Sequence, residues 1–373
     1  MHILKLDTRL EIGPVDILTP GEYLATDIVA AQLLLMADGG TMTPLAETRR
    51  LGSVLEACTN PRLLFMRGGG FGDLVLLTPV LREAKRRWPT CHLAVSTMSH
   101  YAPVLALLPY IDEIVPFPLP RETAEKFDAW VLYENTIERN PRAKELHMTE
   151  VFGEVAGITG IENLLPEYRV KPSELIWCNE AYPRVNGTRR VCVHVGASAR
   201  CRAYPQNQLG QVCKQMIDRG WEVCLLGAAG EIKLPEKEKL PPGLRNLTDL
   251  GLTFRQSCAV LNTCDCVLGS DSALIHVAGA LGVPAVGLYG PFPWQLRTAH
   301  CPTTLAISGV GKCAPCFHHV SATLRNHFPA DCPSKDKGIC EVLASIEPRR
   351  IVAKVEQHMR KVEPAADVTF YPA

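Results

Sequence analysis

Three short segments concentrate the residue types that could do chemistry. The first, Arg67-Gly68-Gly69-Gly70-Phe71-Gly72-Asp73, sets a single carboxylate at the end of a glycine turn. A dinucleotide fingerprint needs a glycine at the sixth position from Gly68, and Asp73 stands there instead. A phosphate-binding P-loop needs Gly-Lys-Ser/Thr, which is absent. No ribose-binding acid follows the next apolar run, since 96–99 is neutral. What remains is a tight turn whose glycines, Gly70 and Gly72 among them, let the backbone approach a ligand closely. Asp73 at a helix start could take a proton from an attacking hydroxyl. The same residue type at the same place also serves as a helix N-cap, and spacing supports both readings.

The second segment is Ser270-Asp271-Ser272-Ala273-Leu274-Ile275-His276, between an apolar run and a helical pattern. Unpaired N–H groups and the helix dipole at such a junction favour a diphosphate. Ser270, Ser272 and Ala273 are small enough to admit one. Asp271 could hydrogen-bond sugar hydroxyls, Ser272 could contact the diphosphate, and His276 falls one turn into the helix. An N-cap with a buried structural histidine would look the same in sequence. Nearby in type, if not in number, Arg202 within Arg200-Cys201-Arg202-Ala203-Tyr204-Pro205 could neutralise a departing diphosphate bidentately. It could equally be a solvated loop charge.

The third is a cysteine series, Cys313-Ala314-Pro315-Cys316, Cys332 and Cys340, with intervals of two, fifteen and seven residues. That pattern suggests a tetrathiolate site for zinc or iron, with His318, His319 and His327 as alternative ligands. Four occupied thiolates would make such a metal structural, because catalysis needs an open coordination position. Four unligated cysteines are the alternative. A redox pair fits less well, since Cys313 does not open a helix after a strand.

These segments need a scaffold. The chain has 373 residues, too many for one core, so two domains and a smaller unit are expected. With 47% apolar and 21% charged residues and zero formal net charge, the composition is that of an ordinary globular chain and gives no global support to a nucleic-acid partner. No stretch reaches the length and apolarity of a membrane span, and the opening Met1 to Asp7 reads as a strand with early charges rather than as a signal peptide. The fifteen cysteines are therefore read as those of a reducing, cytoplasmic compartment, mostly small buried apolar groups.

Residues 1–60 read as a small α+β module: a strand over His2–Leu10, a turn at Pro20-Gly21, a helix from Thr26-Asp27 to Ala37 closed by Gly39-Gly40, and a second helix over 44–58. Packing or self-association is its expected role. An α/β alternation then runs through 61–185, with strands near 63–66, 92–96, 114–116 and 129–133, and helical patterns over 74–87 and 104–108. Residues 166–188 read as an interdomain connection. The alternation restarts in 186–373, with strands near 190–194, 221–226, 266–269 and 283–288, helices over 209–219, 254–262, 272–281 and 348–361, and a Cys-rich loop over 309–342. Strands separated by helices imply parallel sheets, and two such halves imply a cleft outside the carboxyl ends of their strands.

Together the motifs resemble glycosyltransferase family 9, the ADP-heptose heptosyltransferases. The resemblance rests on RGGGFGDLVLLTP (67–79), Arg202-Ala203-Tyr204-Pro205, Asn246-Leu247-Thr248-Asp249-Leu250, and LGSDSALIHVAGALGVPAVGLYG (268–290). The cysteine loop is similar to that of the autotransporter heptosyltransferase branch, which carries iron at a cysteine motif. The resemblance spans about 62–361. It implies a GT-B fold, two Rossmann-like domains facing across a cleft, and inverting transfer of a sugar, heptose favoured, from a nucleotide-diphosphate donor such as ADP-heptose. It casts Asp73 as general base, Arg202 and the amides around Ser272 as stabilisers of the diphosphate, Asp271 as sugar holder, and Gly227 to Glu231 as neighbours of the nucleotide base. The acceptor would be a protein or a lipopolysaccharide core. Ala273 stands where the family commonly has glycine and Arg202 where lysine is usual; both bear on donor identity. Two other functions fit the same residues: transfer to a nucleobase or small metabolite, and a catalytically silent nucleotide-sugar-binding assembly protein.

Overall fold

The structure is a computed structural model that describes residues 2–11, 17–25, 33, 36, 37, 39–44, 58–232, 240–318 and 328–361. The chain packs as two compact units. One is Met1–Ala143 with Met148–Leu164; the other is Lys144–His147 with Leu165–Ala373.

The first unit opens with β1 (His2–Leu6), β2 (Leu10–Glu11), β3 (Ile17–Leu18), β4 (Gly21–Ala25) and β5 (Gly40–Pro44). Leu33 and Met36 are helical and the Ala37 N–H donates to the Leu33 carbonyl at 2.9 Å, in keeping with a helix that ends before Gly39-Gly40; Gly40 then begins β5, and the rest of that helix and most of the second expected one lie outside the described residues. Then come β6 (Arg62–Met66), α1 (Phe71–Arg87), β7 (His92–Thr97), β8 (Glu113–Pro116), β9 (Leu119–Pro120), β10 (Ala129–Leu132) and α2 (Met148–Ala156). The helix expected over 104–108 is only a 3-10 turn at Ala102–Val104. Strands β10-β6-β7-β8 form a parallel sheet, while β5-β1-β4-β9 form an antiparallel one. Period-two alternation lets β4 serve two cores. Tyr23 and Ala25 pack with Leu4 and Leu6, and Leu24 packs with Leu64 and Met66 of the parallel sheet.

Helix α1 starts at Phe71, three residues before the expected Leu74, so Asp73 lies inside its first turn. Gly70 takes the N-cap position, which removes the reading of Asp73 as N-cap. Pro79 within α1 cannot donate to the Val75 carbonyl. Thr78 Oγ1 donates to that carbonyl at 2.7 Å instead, so the buried acceptor is satisfied and the helix continues.

The second unit contains α3 (Pro172–Ala181), a helix within the stretch read as a connection. After it come β11 (Arg190–His194), α4 (Gln206–Ile217), β12 (Glu222–Leu226), β13 (Leu244–Asn246), α5 (Phe254–Asn262), β14 (Cys266–Ser270), α6 (Ala273–Ala280), β15 (Ala285–Tyr289), α7 (Gln295–Thr298), β16 (Thr304–Ser308) and α8 (Pro348–Lys361). Six parallel strands run in the order β13-β12-β11-β14-β15-β16, that is 3-2-1-4-5-6, the Rossmann order. Strands β12, β14 and β15 are buried along their whole length, as a sheet covered on both faces requires. Helix α8 turns Ile351, Val352 and Val355 into that core beside Val286 and Leu288. The α/β fold class with Rossmann-like halves is thus the one read from the sequence.

Candidate functional site

In each unit the residues singled out by sequence gather where the strand order reverses. In the first, that point lies between β6 and β10. The backbone leaving β6 is crowded. A Cβ at Gly68 would lie 2.8 Å from the Phe117 ring, and one at Gly69 2.8 Å from Tyr101. Gly70 has φ of +94°, and a Cβ there would meet Asp73 Oδ2 at 2.6 Å. The glycines therefore allow an arginine and two carboxylates to converge. Arg67 is mostly buried. It donates through Nε to the Gly69 carbonyl and through Nη1 to the Tyr133 carbonyl, each at 2.9 Å, and through Nη2 to Asp73 Oδ2. Glu134, just past the end of β10, accepts from the Gly68 N–H and lies 3.7 Å from Arg67. Burial acts to lower the Arg67 pKa, but Asp73, Glu134 and Glu138 outweigh it and hold the pKa above its ordinary value. Asp73 keeps 28% of its side chain exposed, so it is aimed by Arg67 and still open to a ligand. Gly72 is the second residue of α1.

In the second unit the reversal lies between β11 and β14. Asp271 follows β14 and is buried. Its Oδ2 is 3.5 Å from Arg202 Nη1 and 3.6 Å from Arg297 Nε, and its Oδ1 is 3.6 Å from His276 Nε2. Burial would push this carboxyl up; His276, Arg297 and Arg202 outweigh that and hold it well below the usual carboxylate range. Asp271 Oδ2 makes no hydrogen bond among the described residues. Ser272 occupies the N-cap position of α6 yet gives no side-chain cap. Its hydroxyl instead pairs with His194 Nδ1 at 2.9 Å. Burial pushes the His194 pKa down to about 4, so the ring is neutral at pH 7. The first-turn N–H groups of α6, beginning with Ala273, are thereby left uncapped by Ser272. Arg202 also donates to Ser198, and Tyr204 N–H donates to Ser270 Oγ at 3.1 Å, which ties the basic loop to the end of β14. Two guanidinium groups against one carboxylate leave this corner positive, as an anionic ligand needs.

Glu231 stands among the loops that leave β11 and β12. Its carboxylate accepts from the Ala228 N–H at 2.9 Å. A side chain at Gly196 or Gly227 would collide with it. The Gly227 to Glu231 loop thus stands at the ends of β11 and β12, on the same edge of the sheet as Asp271.

Sequence reasoning missed Glu134, His194 and Arg297. The first two were findable, since each ends or follows a strand. Arg297 sits on the four-residue α7, far from any motif, and no local signal marks it.

The cysteines are all free thiols. Most line the core, as expected. Cys332 and Cys340 are buried, and Cys313 and Cys316 are half-buried. Burial pushes the Cys316 and Cys340 thiols up. Among the described residues no group of three or more His, Cys, Asp or Glu side chains is arranged to hold a metal ion. The donor type suits zinc or iron, and the thiols are near neighbours: Cys316 lies within electrostatic reach of Cys313 and Cys332, and Cys340 of Cys316 and Cys332. His319 and His327 lie outside the described residues. Among the described residues no helix is long and apolar enough to cross a membrane.

The comparisons with known proteins agree with this geometry. Residues 162–326 match glycosyltransferase family 9 (heptosyltransferase). Lipopolysaccharide heptosyltransferase 2 of Salmonella typhimurium is 23% identical over 290 residues, covering 62% of this chain and 83% of that protein. Among solved structures, the ADP-heptose LPS heptosyltransferase II of E. coli superposes with a TM-score of 0.61 at 18% identity, over 80% of this chain and 99% of that one. TibC, an iron-containing dodecameric heptosyltransferase of enterotoxigenic E. coli solved with ADP-D-β-D-heptose, gives a TM-score of 0.61 at 14% identity over 97% of this chain and 91% of its own. The chain is thus similar in sequence to glycosyltransferase family 9 over residues 162–326 and shares the GT-B-type fold of solved heptosyltransferases.

Proposed function

We propose that the protein transfers a sugar, heptose before others, from a nucleotide-diphosphate donor to an acceptor hydroxyl with inversion, and that ADP-heptose is the donor. The observation that carries this reading is the Asp271 corner: a buried carboxylate with an open acceptor oxygen, two arginines and uncapped helix amides, at the switch point of a 3-2-1-4-5-6 sheet. A sugar diphosphate offers the complement, hydroxyl donors beside an anion.

In this mechanism the sugar hydroxyls donate to Asp271. Arg202 and the amides around Ser272 meet the diphosphate, and their attraction grows as the glycosidic bond breaks and charge accumulates on the leaving group. Ala273 and His276 shape the same end of α6, and Gly227 and Glu231 border the nucleoside. Asp73 takes the proton of the acceptor hydroxyl, with Gly70 and Gly72 clearing its approach. Direct displacement by that hydroxyl on the face opposite the diphosphate inverts the anomeric carbon. A protein or a lipopolysaccharide core is the proposed acceptor, and self-association the proposed role of residues 1–60. Iron or zinc at Cys313, Cys316, Cys332 and Cys340 would be a structural clip, and no step of transfer passes through it. Elemental analysis of anaerobically purified protein tests the clip: one equivalent supports it, and none removes it.

The reading is tested by a thermal-shift screen of nucleotide sugars, followed by intact-mass analysis of acceptors. A donor at ~100 times its Kd stabilises the fold by about 2.7 kcal/mol. ADP-heptose is expected to give the largest shift. No shift with any nucleotide sugar contradicts the proposal.

A further inference from the structure

The Asp271 corner has an unusual spacing. Three cationic or cation-capable groups surround the carboxylate at 3.5–3.6 Å, close enough to attract it but beyond hydrogen-bond length. An arginine near a buried carboxylate ordinarily closes to a bidentate pair. Something holds Arg297 back, and Phe292 is placed to do so. Its buried ring lies under the guanidinium, with Arg297 Cζ 4.2 Å from the ring centroid. Arg202 Cζ is 6.0 Å from the same ring. A cation over an aromatic face is attracted to it, and a planar guanidinium stacked there loses its freedom to swing.

Phe292 is itself braced. The Phe317 ring meets it edge-on, with centroids 6.2 Å apart and planes at 80°. Phe317 follows Cys316 directly, takes a left-handed φ of +56°, and donates its N–H to the Pro291 carbonyl at 2.9 Å. The Lys144 ammonium lies 5.5 Å from its ring. The cysteine loop thus reaches the Asp271 corner through two aromatic rings.

We propose that Phe292 is a positioning residue, braced by Phe317: it keeps Arg297 at ion-pair distance from Asp271, so that Oδ2 stays open to accept a hydrogen bond from the ligand. The inference rests on the donor-site reading above for the identity of that ligand. The positioning itself does not.

Two measurements test it. Crystal structures of the wild type and Phe292→Leu need no ligand. In the variant Arg297 is expected to close to below 3.2 Å from Asp271 Oδ2; if it stays beyond 3.5 Å, the positioning role is overturned. The second is the affinity of wild type, Phe292→Leu and Phe292→Tyr for ADP-heptose and for ADP, by calorimetry. Phe292→Leu is expected to bind ADP-heptose at least tenfold more weakly and to lose less than threefold for ADP, with an unchanged melting temperature ruling out general damage. Phe292→Tyr, which keeps the ring face, should stay within threefold of wild type for both. Equal weakening by both substitutions, or none by Phe292→Leu, overturns the inference while leaving the donor reading intact. A wild type that binds ADP but gains nothing from the sugar overturns the ligand half together with the donor reading.

Discussion

Asp73 and Asp271 both stand just beyond a parallel strand where the strand order reverses, yet they are built oppositely. Asp73 is partly exposed and hydrogen-bonded to one arginine, which is itself fixed by two backbone carbonyls. Asp271 is buried among Arg202, Arg297 and His276, with no hydrogen bond on Oδ2 among the described residues. An exposed carboxylate can exchange a proton with a bound hydroxyl. A desolvated one ringed by cations stays charged and is suited to holding a ligand. In the proposed reading the glycine turn presents a base, and the Asp271 corner holds the donor with charges that are set before any ligand arrives.

Substitution of Asp73 by Asn keeps its shape and removes the proposed base. Transfer should fall on the order of 10²–10⁴-fold, the usual contribution of a positioned base. A steady-state transfer assay checks this, and a wild-type rate would assign the base elsewhere.

At Asp271 the first consequence should be in stability. Asp271→Asn leaves the buried Arg297 guanidinium and the half-buried Arg202 less compensated, a loss of about 3–5 kcal/mol by the behaviour of broken buried pairs. Urea unfolding at pH 7 measures it. The wild-type carboxyl is held below its ordinary value, so its contribution is present above about pH 4 and is lost as acid protonates it. A difference that persisted unchanged well below that range would mean the carboxylate is not what the arginines are balanced against.

The smallest effect concerns the wall behind Arg297. His147 is buried, its ring 4.2 Å from that of His300. Burial first, and then His300, push its pKa down to about 3, and the Arg297 backbone opposes this only in part. In the unfolded chain the group titrates near 6.5, so the unfolded state binds more protons between those values and stability falls as pH drops through them. The wild type should lose about 2–3 kcal/mol more than His147→Gln between pH 7 and pH 4.5. His194, pushed down to about 4, contributes with the same sign and keeps the variant acid-sensitive as well. Identical pH profiles for the two proteins would show that His147 is already solvated in the fold.

The same contrast explains what could be read in advance. Strands such as Cys266–Ser270 and helices such as Pro348–Lys361 announce themselves through continuous burial or 3.6-residue periodicity. Asp73, Asp271 and Ser272 were legible because junctions of strand and helix are local features. The start of α1 was misplaced by three residues because Gly70 adopts a positive φ that no residue pattern announces. Arg67 and Glu134 meet only when β10 pairs with β6. Arg297, on α7, comes to 3.6 Å from Asp271 only in the folded chain. Residues that are distant in sequence and joined by tertiary contact leave no local periodicity, so the partners of each carboxylate were invisible although the carboxylates were not. The cysteine series shows the converse: its spacing was clear, while ligand geometry is a property of the folded loop.

The central claim is that the Asp271 corner holds the donor and the Asp73 turn does not. Calorimetric titration of ADP-heptose into wild type, Asp73→Asn and Asp271→Asn, each verified as folded by its melting transition, decides between them. The account predicts saturable binding to wild type, the same affinity within about threefold for Asp73→Asn, and at least a tenfold loss for Asp271→Asn, about 1.4 kcal/mol. Binding weakened by Asp73→Asn and untouched by Asp271→Asn would contradict it.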